Sequence, residues 1–212
     1  MAFLASTPAR SATWPIAVGA EGIAAAQFAR CGFDVLVQAG RDKPWYDLVV
    51  TRAGNLLKIS VKASDDGEWR LTSGYARSGQ AISAASFDMR NAIDRWQASY
   101  GSRTVCCLVQ FGGVAFDDMP RIYLALPGEV AQRMRETADR IGRCVLSESY
   151  EWMPADGSPK LEALPTDWRF SPERIEELMA DRAAKLTASF GVSRNNGNGT
   201  SPRESAPEVV LH

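Results

Sequence analysis

Residues 45–63, WYDLVVT followed by RAGN and LLKISVKA, constrain this chain more than any other stretch. Two apolar, β-branched runs flank a short breaker, a pattern that folds as an antiparallel hairpin. The returning run, Leu56–Ala63, alternates cleanly: Leu57, Ile59, Val61 and Ala63 lie on one face, and Lys58, Ser60 and Lys62 on the other. Pairing 46–51 with 56–61 across the RAGN turn sets Asp47 beside the strand end that carries Lys62. A carboxylate inside an apolar strand costs free energy unless a partner, hydrogen bonds, a metal or an exposed sheet edge compensates. Two readings of the pair therefore stand side by side. It is an ion pair at a sheet edge, which would contribute little to stability. Or it is a site in which Asp47 holds Mg²⁺ or Mn²⁺ through oxygen while Lys62 neutralises charge developing on a phosphate.

The remaining elements follow from periodicity and breakers. A small-residue and apolar pattern over residues 16–31, including Ile16, Ile23 and Phe28, predicts a helix that Gly32 ends. Phe33–Gln38 reads as a buried strand and AGRDKP as a loop. Ser64–Gln80 is polar and glycine-bearing, hence a loop or irregular hairpin. A helix over Ala85–Tyr100 offers Phe87, Ile93 and Trp96 to the core. Thr104–Phe111 and Arg121–Leu126 are strands, Pro127 opens a helix to about Arg140, and Cys144–Leu146 is a further short strand. Ser171 caps a helix running to Leu186. The order (helix, three strands, helix, two strands, helix) predicts one α/β domain with a mixed central sheet flanked by helices. Its expected bounds are residues 14–190, with a flexible N-terminus at 1–13 and a disordered tail at 191–212. The Asn198-Gly-Thr match to a glycosylation acceptor is chance in a chain read as having no export signal.

Composition narrows the chemistry. The single histidine is His212, which leaves no histidine for a nucleophile–base couple or a general base within the fold. The four cysteines, Cys31, Cys106, Cys107 and Cys144, show no metal-ligand spacing and read as reduced, with Cys106 and Cys107 on opposite faces of one strand. Catalysis would have to use carboxylates, lysines, hydroxyls and a metal. Net charge is −1, yet residues 41–103 carry ten Lys and Arg against seven Asp and Glu, while residues 129–212 carry eleven against fourteen. A basic face near the hairpin and ordinary surface scatter explain that asymmetry about equally well. No apolar run is long enough to cross a bilayer, and no secretory pattern opens the chain, so a cytoplasmic protein is expected. The tryptophans at 45, 69, 96, 152 and 168 would offer stacking surfaces, but packing is the ordinary role and none is assigned another.

Four motifs in order carry a resemblance: Gly19 and Glu21 in the first helix, Gly32-Phe33-Asp34-Val35, Tyr46-Asp47-Leu48-Val49, and Val61-Lys62-Ala63-Ser64. Over residues 17–64 the chain resembles the PD-(D/E)xK nuclease superfamily, within it the bacterial endonuclease-like branch that includes intron-encoded homing endonucleases. RIYLALPGEVA is similar to a late strand–helix unit of related domains. The resemblance implies a three-layer, restriction-endonuclease-like α/β core and a Mg²⁺-dependent (or Mn²⁺-dependent) endodeoxyribonuclease. Its catalytic residues would be Asp47, Lys62 and Glu21, with the metal held by Asp47, Glu21 and the position of Ser60. DNA is then the expected partner, with pairing into a homodimer. One departure matters: the family pattern has an acid, or sometimes Gln, two residues before the lysine, and this chain has Ser60. Glu21, a carboxylate from Asp65, Asp66 or Glu68, or a backbone carbonyl and waters would have to complete the metal shell. Otherwise the fold serves as a catalytically degenerate module that binds nucleic acid or a protein partner without turnover. Glu21 itself is equally well read as a solvated first-turn glutamate favoured by the helix dipole.

Overall fold

The computed structural model describes residues 13–38, 46–75 and 89–180. Residues 1–12 of the N-terminus expected to be flexible, the segment expected to form the tail, with Asn198, and the expected 39–44 loop lie outside them, as do Trp45, Phe87 and residues 181–186 of the last predicted helix. Helix α1 (Thr13–Arg30) leads into β1 (Asp34–Val37), β2 (Leu48–Arg52), β3 (Asn55–Ser64) and the short β4 (Glu68–Trp69). Helix α2 (Met89–Ala98), β5 (Thr104–Gln110), β6 (Arg121–Ala125) and α3 (Pro127–Ile141) follow. Three short strands, β7 (Leu146–Ser147), β8 (Ser149–Trp152) and β9 (Lys160–Ala163), precede the helix α4 (172–180).

The central sheet has five strands in the order β1-β2-β3-β5-β6, antiparallel throughout except for the parallel β3–β5 pair. The hairpin register matches the sequence reading, with Leu48 opposite Ile59, Val50 opposite Leu57 and Thr51 opposite Leu56. Its two-residue loop explains why. Ala53 (φ 51°) and Gly54 (φ 80°) both take left-handed conformations, the combination whose twist suits a tight hairpin. Glycine adopts it without strain, whereas Ala53 does so at some cost.

Strand alternation divides the core into two layers. On one face Leu48 and Val50, Leu57, Ile59 and Val61, Val105, Cys107 and Val109, and Ile122 and Leu124 pack against Ala20, Ala24 and Phe28 of α1 and Ile175, Leu178 and Met179 of α4. On the other, Cys106, Leu108, Tyr123 and Ala125 pack against Ile93 and Trp96 of α2, Val130, Ala131 and Met134 of α3, and Trp69. Cys106 and Cys107 thus face opposite layers, and all four cysteines are free thiols. Burial raises both strand thiols. Cys106 is pushed up to about 12, with nearby Lys62 opposing part of the rise, and Cys107 is raised as well, so neither acts as a nucleophile near neutrality.

Arg174, 6% exposed, ties α4 to this core. Its Nη2 donates to both carboxylate oxygens of Glu129, at 3.0 and 2.9 Å, and its Nε donates to the Leu124 carbonyl. Glu129 also accepts the Leu126 backbone N–H at 2.6 Å, which satisfies one open donor at the α3 N-terminus.

Three expectations need correction. β1 is an exposed edge strand, with Leu36 at 62% and Val37 at 59% accessibility, and not a buried one, because it ends the sheet with β2 as its one strand neighbour among the described residues. The strand predicted at Cys144–Leu146 begins at Leu146 and pairs with β4, and the β8–β9 hairpin was not foreseen. Ile16 does not join the α1 core row at Ala20, Ala24 and Phe28 but lines a cleft instead.

A cleft where two strands part

β2 and β3 do not run to the same length. The β2 ladder stops at Leu48, opposite Ile59, while β3 continues through Ser64 alongside β5. At the parting point Asp47 carries the pairing one step further in two ways. Its backbone N–H donates to the Ile59 carbonyl at 2.8 Å, and its side-chain Oδ2 accepts the Val61 N–H at 2.7 Å. The carboxylate thereby replaces the strand carbonyl that would otherwise satisfy that donor, which accounts for an aspartate in an apolar strand.

The ladder itself ends at Leu48, and the Asp47 bond to the Ile59 carbonyl falls out of step with it. Lys62 alternates with Val61, so it lies on the face of Lys58 and Ser60, opposite the Leu57, Ile59 and Val61 row that packs on α1. On this face α2 and α3 cover β5 and β6. The β2–β3 half is left for polar groups.

The gap opens into a cleft of about 470 Å³ whose lining includes Glu21, Asp47 and Lys62. Glu21 reaches it from the middle of α1, and Ile16 and Ala17 line it from the same helix. Three of the four residues singled out from sequence are therefore brought together. The fourth, Ser60, is 2% exposed and does not line the cleft; its hydroxyl interacts with that of Tyr100. Burial raises the Tyr100 phenol well above its ordinary range, so it stays protonated, with the Ser60 contact opposing part of the rise.

Of the loop carboxylates, only Asp65 lines the cleft. Asp66 is engaged with Arg70 at 2.8 Å and Ser64 at 3.1 Å, and the Arg70 hydrogen bond is the main cause holding its carboxyl below the usual range. Glu68 is bound between Arg70 and Arg143. Lys58, for its part, sits 5.0 Å from the centre of the Tyr46 ring and does not line the cleft.

The opposite wall was not legible in the sequence. It comes from Trp69, Leu71 and Tyr75, just after β3, and from Trp96 and Tyr100 at the end of α2. Trp69 donates its Nε1–H to the Lys62 carbonyl at 3.0 Å, so this wall is fastened to the strand that carries the lysine. The Tyr75 hydroxyl donates to Ser99 Oγ at 2.9 Å, and the Trp96 and Tyr100 rings meet edge to face at 5.1 Å. No pattern of spacing links residues 69–75 to 96–100; packing alone does.

A tightly packed ledge adjoins Ser64 and Asp65, two of the residues that line the cleft. Gln110, fully buried, donates to Ser64 Oγ at 3.1 Å and accepts the Gly112 N–H at 2.6 Å. A Cβ on Gly112 would stand 2.8 Å from both the Asp65 carbonyl and Gln110 Oε1, so glycine is needed there for lack of space.

As a donor set for a cation, the cleft offers oxygen only, from two carboxylates of the sheet and helix and one of the rim, with no sulfur or imidazole. That chemistry fits a hard divalent ion, and Mg²⁺ is commonly held by one or two carboxylates together with waters. Among the described residues no group of three or more His, Cys, Asp or Glu gathers as a metal cluster, so the protein's own share of such a shell is small. Among the same residues no helix is long and apolar enough to cross a membrane.

A mixed α/β fold with a five-stranded central sheet between helices is the class this architecture defines. No protein-family model matches the chain, and no curated protein does. Among solved structures it is similar to a bacterial homing endonuclease, I-Ssp6803I, at 16% identity and a TM-score of 0.35, covering 87% of this chain and 99% of that one. At that score the likeness carries no weight for what this chain does.

Proposed function

We propose that the protein is a metal-dependent nuclease of the PD-(D/E)xK type that hydrolyses DNA phosphodiester bonds in the cleft between β2 and β3. The observation that carries this reading is the placement of Glu21, Asp47 and Lys62 on one cleft by three separate elements. In this reading Asp47 and Glu21 hold the ion, and the Val61 N–H fixes the Asp47 carboxylate so that little ordering remains to be done on binding. A bound Mg²⁺ or Mn²⁺ would polarise the phosphate and acidify a water. Lys62 lines the same cleft, where its ammonium would balance charge growing on the phosphate oxygens. The reading is tested by incubating the full chain with plasmid, branched and single-stranded DNA in Mg²⁺ or Mn²⁺. Cleavage that disappears in Asp47→Ala supports it; no cleavage of any substrate, or cleavage that survives Asp47→Ala, refutes it.

A second reading has its own support: the fold serves as a binding module without turnover. Ser60 stands where the resembling family has an acid or Gln, and it is buried against Tyr100. A Mn²⁺ titration followed by thermal unfolding separates the two, because a bound ion stabilises the folded state by mass action. A melting temperature that rises with Mn²⁺ favours the nuclease, and one that does not move favours the module.

A further inference from the structure

We infer that the cleft accepts one unstacked nucleotide, so that its ligand is single-stranded or locally unpaired nucleic acid and not intact duplex; this rests on the nuclease reading of the same site. The carboxylates and Lys62 occupy only one side of the cleft. The rest of the lining is mainly aromatic, with Tyr75 and Tyr100 half-buried and Trp69 and Trp96 almost wholly buried, beside Leu71 and the exposed Arg70. A phosphate at Lys62 would leave its attached base facing the tyrosines.

Size and rigidity point the same way. A volume of about 470 Å³ lies within the range of about 300–1,000 Å³ that encloses a small ligand. A paired base could not reach such a wall without leaving its stack, whereas an unpaired base presents its π-face at little cost. Both rings are already held. The Tyr75 hydroxyl is bonded to Ser99, and the Tyr100 hydroxyl meets Ser60 while its ring lies edge-on to Trp96. Rings fixed in advance lose little entropy when a base stacks on them. Stacking is also indifferent to sequence, since every base has a face to offer. The ligand class therefore follows from shape and strandedness, not from base identity.

The experiment is fluorescence anisotropy on the full chain in EDTA, where no metal-assisted cleavage intervenes. The probes are a short fluorescein-labelled single-stranded DNA and the same strand annealed to its complement. The expected result is that the single strand binds at least about tenfold more tightly. Tyr75→Ala and Tyr100→Ala should each weaken single-strand binding by about tenfold, while Tyr75→Phe and Tyr100→Phe, which keep the ring, bind like the parent. Circular dichroism verifies that each variant is folded, and the comparison of probes on the parent needs no variant at all. Equal or tighter binding of the duplex overturns the inference, as does single-strand binding that ignores the loss of both rings. If the single strand binds as expected but no DNA is cut when Mg²⁺ is supplied, the inference stands and the nuclease reading falls. If neither probe binds, the inference falls.

Discussion

Asp47 Oδ2 accepts the backbone N–H of Val61 at 2.7 Å, one step beyond the last β2–β3 ladder pair. This contact gives the aspartate two duties, finishing the strand pairing and presenting a carboxylate to the cleft. The duties are separable. Asp47→Asn keeps an oxygen for the Val61 N–H and removes the charge, so it should lower the cleavage rate at least about a hundredfold and leave unfolding in urea nearly unchanged. Asp47→Ala loses both, and unfolding should show an additional destabilisation of about 1 kcal/mol from the stranded donor. Equal destabilisation by the two variants would contradict this division.

Lys62→Met keeps the aliphatic stem and removes the ammonium. The proposed role, balancing charge on the reacting phosphate, predicts a fall of about 10²–10³ in turnover. Binding of Mn²⁺ should persist, since the lysine is no ligand to it. Single-turnover kinetics together with the Mn²⁺ dependence of the melting temperature measure both quantities, and loss of the metal response in this variant would refute the assignment.

The hairpin was readable because two local signals agree. Alternation in Leu56–Ala63 gives the face of each residue, and the Ala53-Gly54 turn gives the register of the pairing from Leu48 to Arg52, so that part of the hairpin could be read before any coordinates. The first helix, the two layers of the strongly apolar β5 and the helix opened by Pro127 were legible for the same reason. What the sequence hid is non-local. β1 looks like any apolar strand, and its exposure is decided by what else covers the sheet. Strands of two residues, such as β4 and β7, are too short to show a period. The aromatic wall joins residues more than twenty positions apart by packing alone, and Arg174, an unremarkable charge in a predicted helix, proves to be buried against Glu129 and Leu124. Of the candidate site, Glu21, Asp47 and Lys62 were visible, while the burial of Ser60 and its contact with Tyr100 were not.

Gly112→Ala should destabilise the chain by about 1–3 kcal/mol, the usual cost of overpacking. Gln110 cannot swing away without giving up its bonds to Ser64 and to the Gly112 N–H, and the other obstacle, the Asp65 carbonyl, is backbone. Because Asp65 stands at the cleft rim, cleavage should weaken along with stability. Urea denaturation and the cleavage assay check the two effects; an unperturbed midpoint would show that the ledge is softer than its contacts imply.

Acid stability should depend on Glu148. Arg121 donates to it through Nε at 2.6 Å and Nη2 at 2.8 Å, and the Tyr123 hydroxyl donates at 2.6 Å. The Arg121 hydrogen bond is the main cause holding the carboxyl below its ordinary value of 4.5, against the opposing effect of burial. The folded chain therefore binds this proton less readily than the unfolded chain. The stabilisation is fully present above pH 4.5 and is lost as pH falls from there through the lower folded value. Melting temperatures measured on descending pH should drop more steeply for the parent than for Glu148→Gln, and parallel curves would contradict the prediction.

The central claim is that the fold gathers acidic oxygens and an ammonium where a hard cation and a phosphate can meet. Anomalous diffraction from crystals grown with Mn²⁺ tests it most directly. The account predicts a peak bonded to the Asp47 carboxylate, in the cleft shared with Glu21 and Lys62. A cleft without a peak, or Mn²⁺ bound only elsewhere, would contradict it.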